Sequence, residues 1–136
     1  MCIRDSAICT RLPLPGEVEI GGLLLRADLL DRGEICDLRA DDGGKIAFLD
    51  AAKLGATEEL TVRYPRPGDR FHPLGAPGRV KLGDFFTNLK VPARLRSKVL
   101  LVCLGETVVW AAGYRINERF KIEADTRHLV RLQIID

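Results

Sequence analysis

The chain has 136 residues, 46% apolar and 29% charged, with a formal net charge of +2. Such a length and composition fit one soluble, folded domain with a single core rather than a disordered chain. No apolar run approaches the roughly 18 residues of a membrane-spanning helix, and the opening Met1-Cys2-Ile3-Arg4-Asp5-Ser6 lacks the apolar stretch of a signal peptide, so a cytoplasmic location is expected.

Residues 1–6 match no local pattern and read as a non-native start; residues 1–11 are set apart as a tail and 12–136 as the domain. After Pro13-Leu14-Pro15-Gly16, the alternating Glu17-Val18-Glu19-Ile20 predicts a strand, and Gly21-Gly22 a hairpin turn into a second strand from Leu23. A weaker strand is expected over Glu34 to Ala40, then a turn at Asp41-Asp42-Gly43-Gly44 and a strand in which Ile46 and Phe48 share a face. Asp50-Ala51-Ala52-Lys53-Leu54-Gly55 has the form of a single helical turn, with Asp50 as N-cap and Gly55 just past its end. Leu60 to Tyr64 alternates as a strand.

The most informative stretch runs from Arg63 to Arg96. Pro67-Gly68 fits the central pair of a type II turn, where Gly supplies a positive φ, and Asp69 is placed to accept hydrogen bonds from its own turn. Leu82, Phe85, Phe86 and Leu89 recur at helical spacing, which predicts a short helix with one buried face and with Lys81 and Lys90 turned outward. Pro92 suits the first position of a second helix carrying Arg94, Arg96 and Lys98, with Leu95 facing inward. From Val99 to Ala112 apolar residues run continuously around Gly105, the pattern of a fully buried hairpin. Strands are expected over Glu118 to Glu123 and Leu129 to Ile135, giving about eight strands and two or three short helices, an α+β, mainly β domain.

Charge is unevenly placed. Residues 1–59 hold 7 Lys/Arg against 12 Asp/Glu, a net −5, whereas residues 60–136 hold 14 against 7, a net +7. Residues 63–98 alone hold nine basic and two acidic side chains, an excess that points to a polyanionic partner. Catalytic groups are not found: Gly43-Gly44-Lys45 lacks the spaced glycine and the Ser/Thr of a phosphate loop, and the two histidines, His72 and His128, assemble no triad. Cys2, Cys9, Cys36 and Cys103 have no paired spacing, so free thiols are expected rather than a metal site. Tyr64, Phe71 and Trp110 are assigned to the core in preference to base stacking.

With Arg66-Pro67-Gly68-Asp69-Arg70-Phe71, Pro73-Leu74-Gly75, Lys81-Leu82, Asp84-Phe85-Phe86, Val91-Pro92 with Arg96, Val109-Trp110 and Gly113-Tyr114-Arg115-Ile116 in this order, the chain resembles the C-terminal part of the tRNA(Ile)-lysidine synthetase family, most strongly over 60–122. Ser97 and Leu100 depart from it, standing where the family usually has an acidic residue and a proline. The resemblance implies an unusual β-sandwich related to a domain of the phenylalanyl-tRNA synthetase β subunit. It further implies a tRNA-engaging fragment that holds the acceptor arm of isoleucine tRNA. The family's ATP-dependent ligation of lysine to the wobble cytidine, and its ATP-binding loop, belong to a catalytic domain that this chain lacks, so no cofactor, catalytic residue or metal is expected here. Resemblance and charge together select Arg66, Arg70, Arg79, Lys81, Lys90, Arg94, Arg96 and Lys98 as the tRNA-binding residues. The alternative is a non-catalytic assembly module in which hairpin 99–112 or a sheet edge forms a homodimer.

Overall fold

The computed structural model describes residues 9–20, 22–31, 45–55, 59–66 and 68–135. The expected strand over Glu34 to Ala40, the turn at 41–44, Gly21 and Pro67 lie outside them. Eleven strands and two α-helices are present among the described residues. One sheet has the order β1 (Cys9–Pro13), β5 (Glu59–Arg63), β8 (Leu101–Leu104), β9 (Thr107–Ala111), β10 (Arg115–Ile116). The other has the order β2 (Gly16–Ile20), β3 (Leu23–Asp31), β11 (His128–Ile135), β4 (Ile46–Asp50).

The two sheets form a sandwich. Leu12, Leu60, Val62, Val102 and Trp110 from the first sheet share one core with Leu25, Ala27, Leu49, Val130 and Leu132 from the second. The β8–β9 hairpin also covers a second core on its other face, where Leu101, Cys103, Val108 and Ala111 meet Phe71, Leu82, Phe85 and Phe86. A strand buried on both faces has no polar side to show, which accounts for the unbroken apolar run of 99–112. Side chains alternating along each strand serve both cores, with a register irregularity in the pairing between Val102 and Cys103.

Sheet pairing starts at Cys9, three residues before the boundary drawn at Leu12, and β1 precedes the Pro13-Leu14-Pro15-Gly16 stretch expected to come before the first ordered element. Ile46 and Phe48 do share a face of β4, but it is the outer one; Ala47 and Leu49 point into the core. Asp50 caps a 3-10 turn, accepting from the Ala52 N–H at 2.9 Å, and is held in turn by the Thr126 hydroxyl. The segment expected as a strand from Glu118 is instead a 3-10 turn, Glu118–Phe120, capped by Asn117, whose amide also donates to the Val108 carbonyl at 2.7 Å.

The helical layer is short. α1 (Leu82–Asn88) buries Leu82, Phe85 and Phe86 as their spacing requires, and Leu89 follows as its C-cap. Phe85 packs edge-on to Phe71 with centroids 5.1 Å apart. Lys90 does not ride on the outward helix face but follows the C-cap with φ +60°. Val91 N–H then reaches the Phe86 carbonyl at 2.9 Å, and Lys90 N–H the Thr87 carbonyl at 3.0 Å, a Schellman closure with buried Val91 against the last turn. Glycine normally fills that left-handed position because a Cβ is strained there. Lys90→Gly is therefore expected to raise stability by about 0.5–1 kcal/mol in urea unfolding. A fall in the midpoint would show that the lysine side chain stabilises the closure.

Pro92 is the N-cap of α2 (Ala93–Arg96) and not its first helical residue, and the helix buries none of its side chains. Leu95, expected to face inward, is 40% exposed.

Candidate nucleic-acid interface

Basic side chains gather where the turn before β6 (Arg70–Phe71) meets β7 (Val80–Lys81), α1 and α2. The turn is closed by the Asp69 N–H to the Arg66 carbonyl at 3.2 Å, with Gly68 at φ +89° as the type II geometry requires. Its anchor is a buried ion pair. Arg63, 7% exposed, gives both guanidinium N–H groups to Asp69, at 2.9 and 3.0 Å, and a further bond to the Tyr64 carbonyl. Asp69 also accepts the Arg66 backbone N–H at 2.7 Å, while its carbonyl takes the Leu82 N–H at the start of α1. Strand β5, the turn and the helix are thus tied through one aspartate, and Arg63 is a structural cation.

On that frame lies an open cleft of about 560 Å³. Of the eight residues selected from the sequence, Arg66, Arg70, Lys81 and Arg96 line it, together with Pro65, Leu82, Phe86, Ala93 and the carboxylates of Asp69 and Asp84. Arg79 is exposed beside β7, Lys90 follows α1, and Arg94 is exposed on α2. Lys98 lies on the far side of α2, on a shallower apolar groove of about 310 Å³ with Leu95 and Tyr114. Tyr114, 37% exposed and in ring contact with Phe86, was not among the residues selected; an aromatic within Gly-Tyr-Arg carries no periodicity to mark it.

Several of the domain's other cations are ion-paired, although Arg119 and Arg127, like most of the selected residues, have no side-chain partner among the described residues. Arg11, Lys53, Lys121 and Arg131 are ion-paired with Glu59, Glu123, Glu118 and Asp28. Among the described residues, no side-chain hydrogen bond or ion pair engages Arg66, Arg70, Arg79, Lys81, Lys90, Arg94 or Lys98. Arg96 is different: its Nε donates to the Val91 carbonyl at 2.8 Å, so it braces the link between the helices while lining the cleft. Arg70 and Lys81 stand directly opposite each other in the β6–β7 ribbon, both exposed. Like charges at opposed positions destabilise a ribbon, and an anion between them would remove that cost.

The loop that leads to β7 is pinned at its other end. Glu118 Oε1 accepts the Gly75 N–H at 2.9 Å and its other oxygen meets Lys121 Nζ at 2.6 Å. The Gly75 bond first, then Lys121, hold the Glu118 carboxyl below its ordinary value of 4.5, and Glu118 raises Lys121 in return. A lowered folded-state pKa means the tether is complete above the unfolded value and is lost as pH falls through the folded one. The Gly75 amide resonance should therefore titrate with a midpoint below 4.5, and lose that titration in Glu118→Gln. A midpoint at or above 4.5 would mean the carboxylate does not hold this loop.

Comparison with known proteins agrees with the fold and with the motif order. A family model described as the TilS substrate C-terminal domain matches residues 60–134. The tRNA(Ile)-lysidine synthase of Clostridium acetobutylicum is 37% identical over 98 residues, 72% of this chain but 21% of that protein. Its counterpart from Clostridium tetani is 33% identical over 121 residues, 86% of this chain and 26% of that protein. The chain thus spans about a quarter or less of the length of these curated relatives. A crystal structure of a TILS C-terminal domain superposes with a TM-score of 0.75 over 95% of this chain and 96% of that one, at 23% identity, which establishes the shared mainly-β fold.

Proposed function

The chain belongs to the TilS substrate C-terminal domain family, and from that premise we propose that it is the tRNA-engaging end of a tRNA(Ile)-lysidine synthase, gripping the acceptor arm of isoleucine tRNA while the ATP-dependent joining of lysine to cytidine takes place on the remainder of a longer bacterial, cytoplasmic enzyme. Kinship of the fold with a domain of the phenylalanyl-tRNA synthetase β subunit is part of the same proposal. The observation that carries the RNA reading is the pair Arg70 and Lys81, opposed across a ribbon with no counter-ion among the described residues. Around it stand further unpartnered cations on rigid turns and short helices, which suits a backbone-reading contact with an A-form stem. Assembly through hairpin 99–112 is less well supported, because that hairpin is enclosed by the domain's own two cores.

Salt dependence tests the reading. If about four side chains neutralise phosphates, log affinity for isoleucine tRNA falls with log salt at a slope of about −3 to −4. Arg70→Ala/Lys81→Ala/Arg94→Ala should flatten the slope by about two to three and weaken binding, with the urea midpoint at or above wild type because the opposed like charges are gone. Arg96 is left in place for its bond to Val91. Unchanged slope and affinity in the triple variant would make the basic run a solvated face.

A further inference from the structure

The cleft is more than a phosphate track. A stacked duplex offers a protein its phosphates, riboses and groove edges, and none of these calls for an apolar floor. Here the accessible apolar floor is Pro65 and Ala93, lying over the buried Leu82 and Phe86, and the rim is Arg66, Arg70, Lys81 and Arg96. A volume of about 560 Å³ falls in the ordinary range for small-ligand sites, roughly 300–1,000 Å³.

We propose, resting on the RNA reading above, that this cleft receives one unpaired nucleotide at the end of an RNA stem, its base against the Pro65/Ala93 floor and its phosphate between Arg70 and Lys81. A base within the helix has both faces occupied and cannot enter; an unpaired one has a free π-face and an apolar body that the floor removes from water. The two acidic residues of the lining divide between structure and recognition. Asp69 is consumed by Arg63 and the Arg66 N–H. Asp84 is exposed, with no hydrogen bond or ion pair recorded among the described residues. A carboxylate is a poor neighbour for phosphate but a good acceptor for the exocyclic amino group of adenine, cytosine or guanine, a group that uracil lacks. The cleft should accordingly disfavour uridine.

Gly83 supplies the test. It lines the cleft, sits in α1 at an ordinary φ, and a Cβ built on it meets no atom within 4 Å. Gly83→Leu therefore places an apolar side chain in the cleft with no clash at its Cβ. Binding is measured by fluorescence anisotropy for a blunt RNA stem and for the same stem ending in one unpaired adenosine or uridine. The adenosine extension should tighten wild-type binding about fivefold, the effect of removing roughly 40 Å² of apolar base surface from water. Gly83→Leu should abolish that gain, measured as the ratio of extended-stem to blunt-stem affinity within the variant, with its urea midpoint at or above wild type; Asp84→Ala should bring adenosine and uridine to the same affinity. Equal binding of blunt and extended stems by wild type would overturn the nucleotide site while leaving the RNA reading standing. A gain that survives in Gly83→Leu would place the nucleotide elsewhere and overturn it too. No binding of any stem would end both.

Discussion

Phe86→Ala should destabilise the domain by about 3–5 kcal/mol, enough to unfold a protein of ordinary stability. The ring is 2% exposed and touches both Phe85 and Tyr114. It also sits at the C-terminal closure of α1, where its carbonyl accepts from Val91. Removing the ring leaves a void beneath a seven-residue helix that has no intrinsic stability with which to resist collapse. The urea midpoint is the measurement, with Lys90→Ala as the control expected within about 0.5 kcal/mol. Matching midpoints for Phe86→Ala and the control would mean that α1 is not packed on the sheet.

A comparable loss is expected from the other side of the cleft. Arg63→Ala takes from the Asp69 carboxylate, whose side chain is 13% exposed, its bidentate guanidinium, and Asp69→Ala takes from that guanidinium, 8% exposed, its carboxylate. Breaking a buried pair from one side costs about 3–5 kcal/mol, because the remaining charge keeps its desolvation penalty and loses its compensation. Removing both partners leaves no orphan charge, so the double variant should be milder than the sum of the singles by about 0.5–3 kcal/mol. Additive losses below about 0.5 kcal/mol each would show that the pair is not what joins strand, turn and helix. Asp69 also orders the Arg66 N–H and the start of α1, so its variants should lose RNA affinity along with stability.

How much of this could be read from the residues depends on whether the cause is local. The stripe of Leu82, Phe85 and Phe86 needs only helical periodicity, and the run from Val99 to Ala112 needs only the rule that doubly buried strands are apolar throughout. The cap of Asp50 and the turn at Gly68 are likewise settled within four residues. Leu95 went the other way because α2 is one turn long, and one turn has no period from which to choose a face. β1 was missed because Cys9-Thr10-Arg11-Leu12-Pro13 is an edge strand ending in proline, with little alternation to mark it. For the site, the sequence gathers the cations but cannot sort them. Arg63 and Arg96 differ from Arg70 and Arg94 only in what stands opposite them, an aspartate six residues on and a carbonyl five residues back. The confrontation of Arg70 with Lys81 depends on a strand register across eleven positions and leaves no trace in either residue's neighbours.

The β8–β9 hairpin, with a separate core on each face, makes the molecule two-tiered. The sandwich closes without the helical layer, whereas α1 and α2, at seven and four residues, have no helicity apart from the sheet beneath them. The helical tier can therefore lift away in a sub-global opening of lower free energy than complete unfolding, and the cleft exists only while it is down. Amide exchange in α1 then measures more than local order: it gives the fraction of molecules competent to bind. RNA seated in the cleft would slow that exchange by mass action, and each increment of docking strength in the small core would return as apparent affinity.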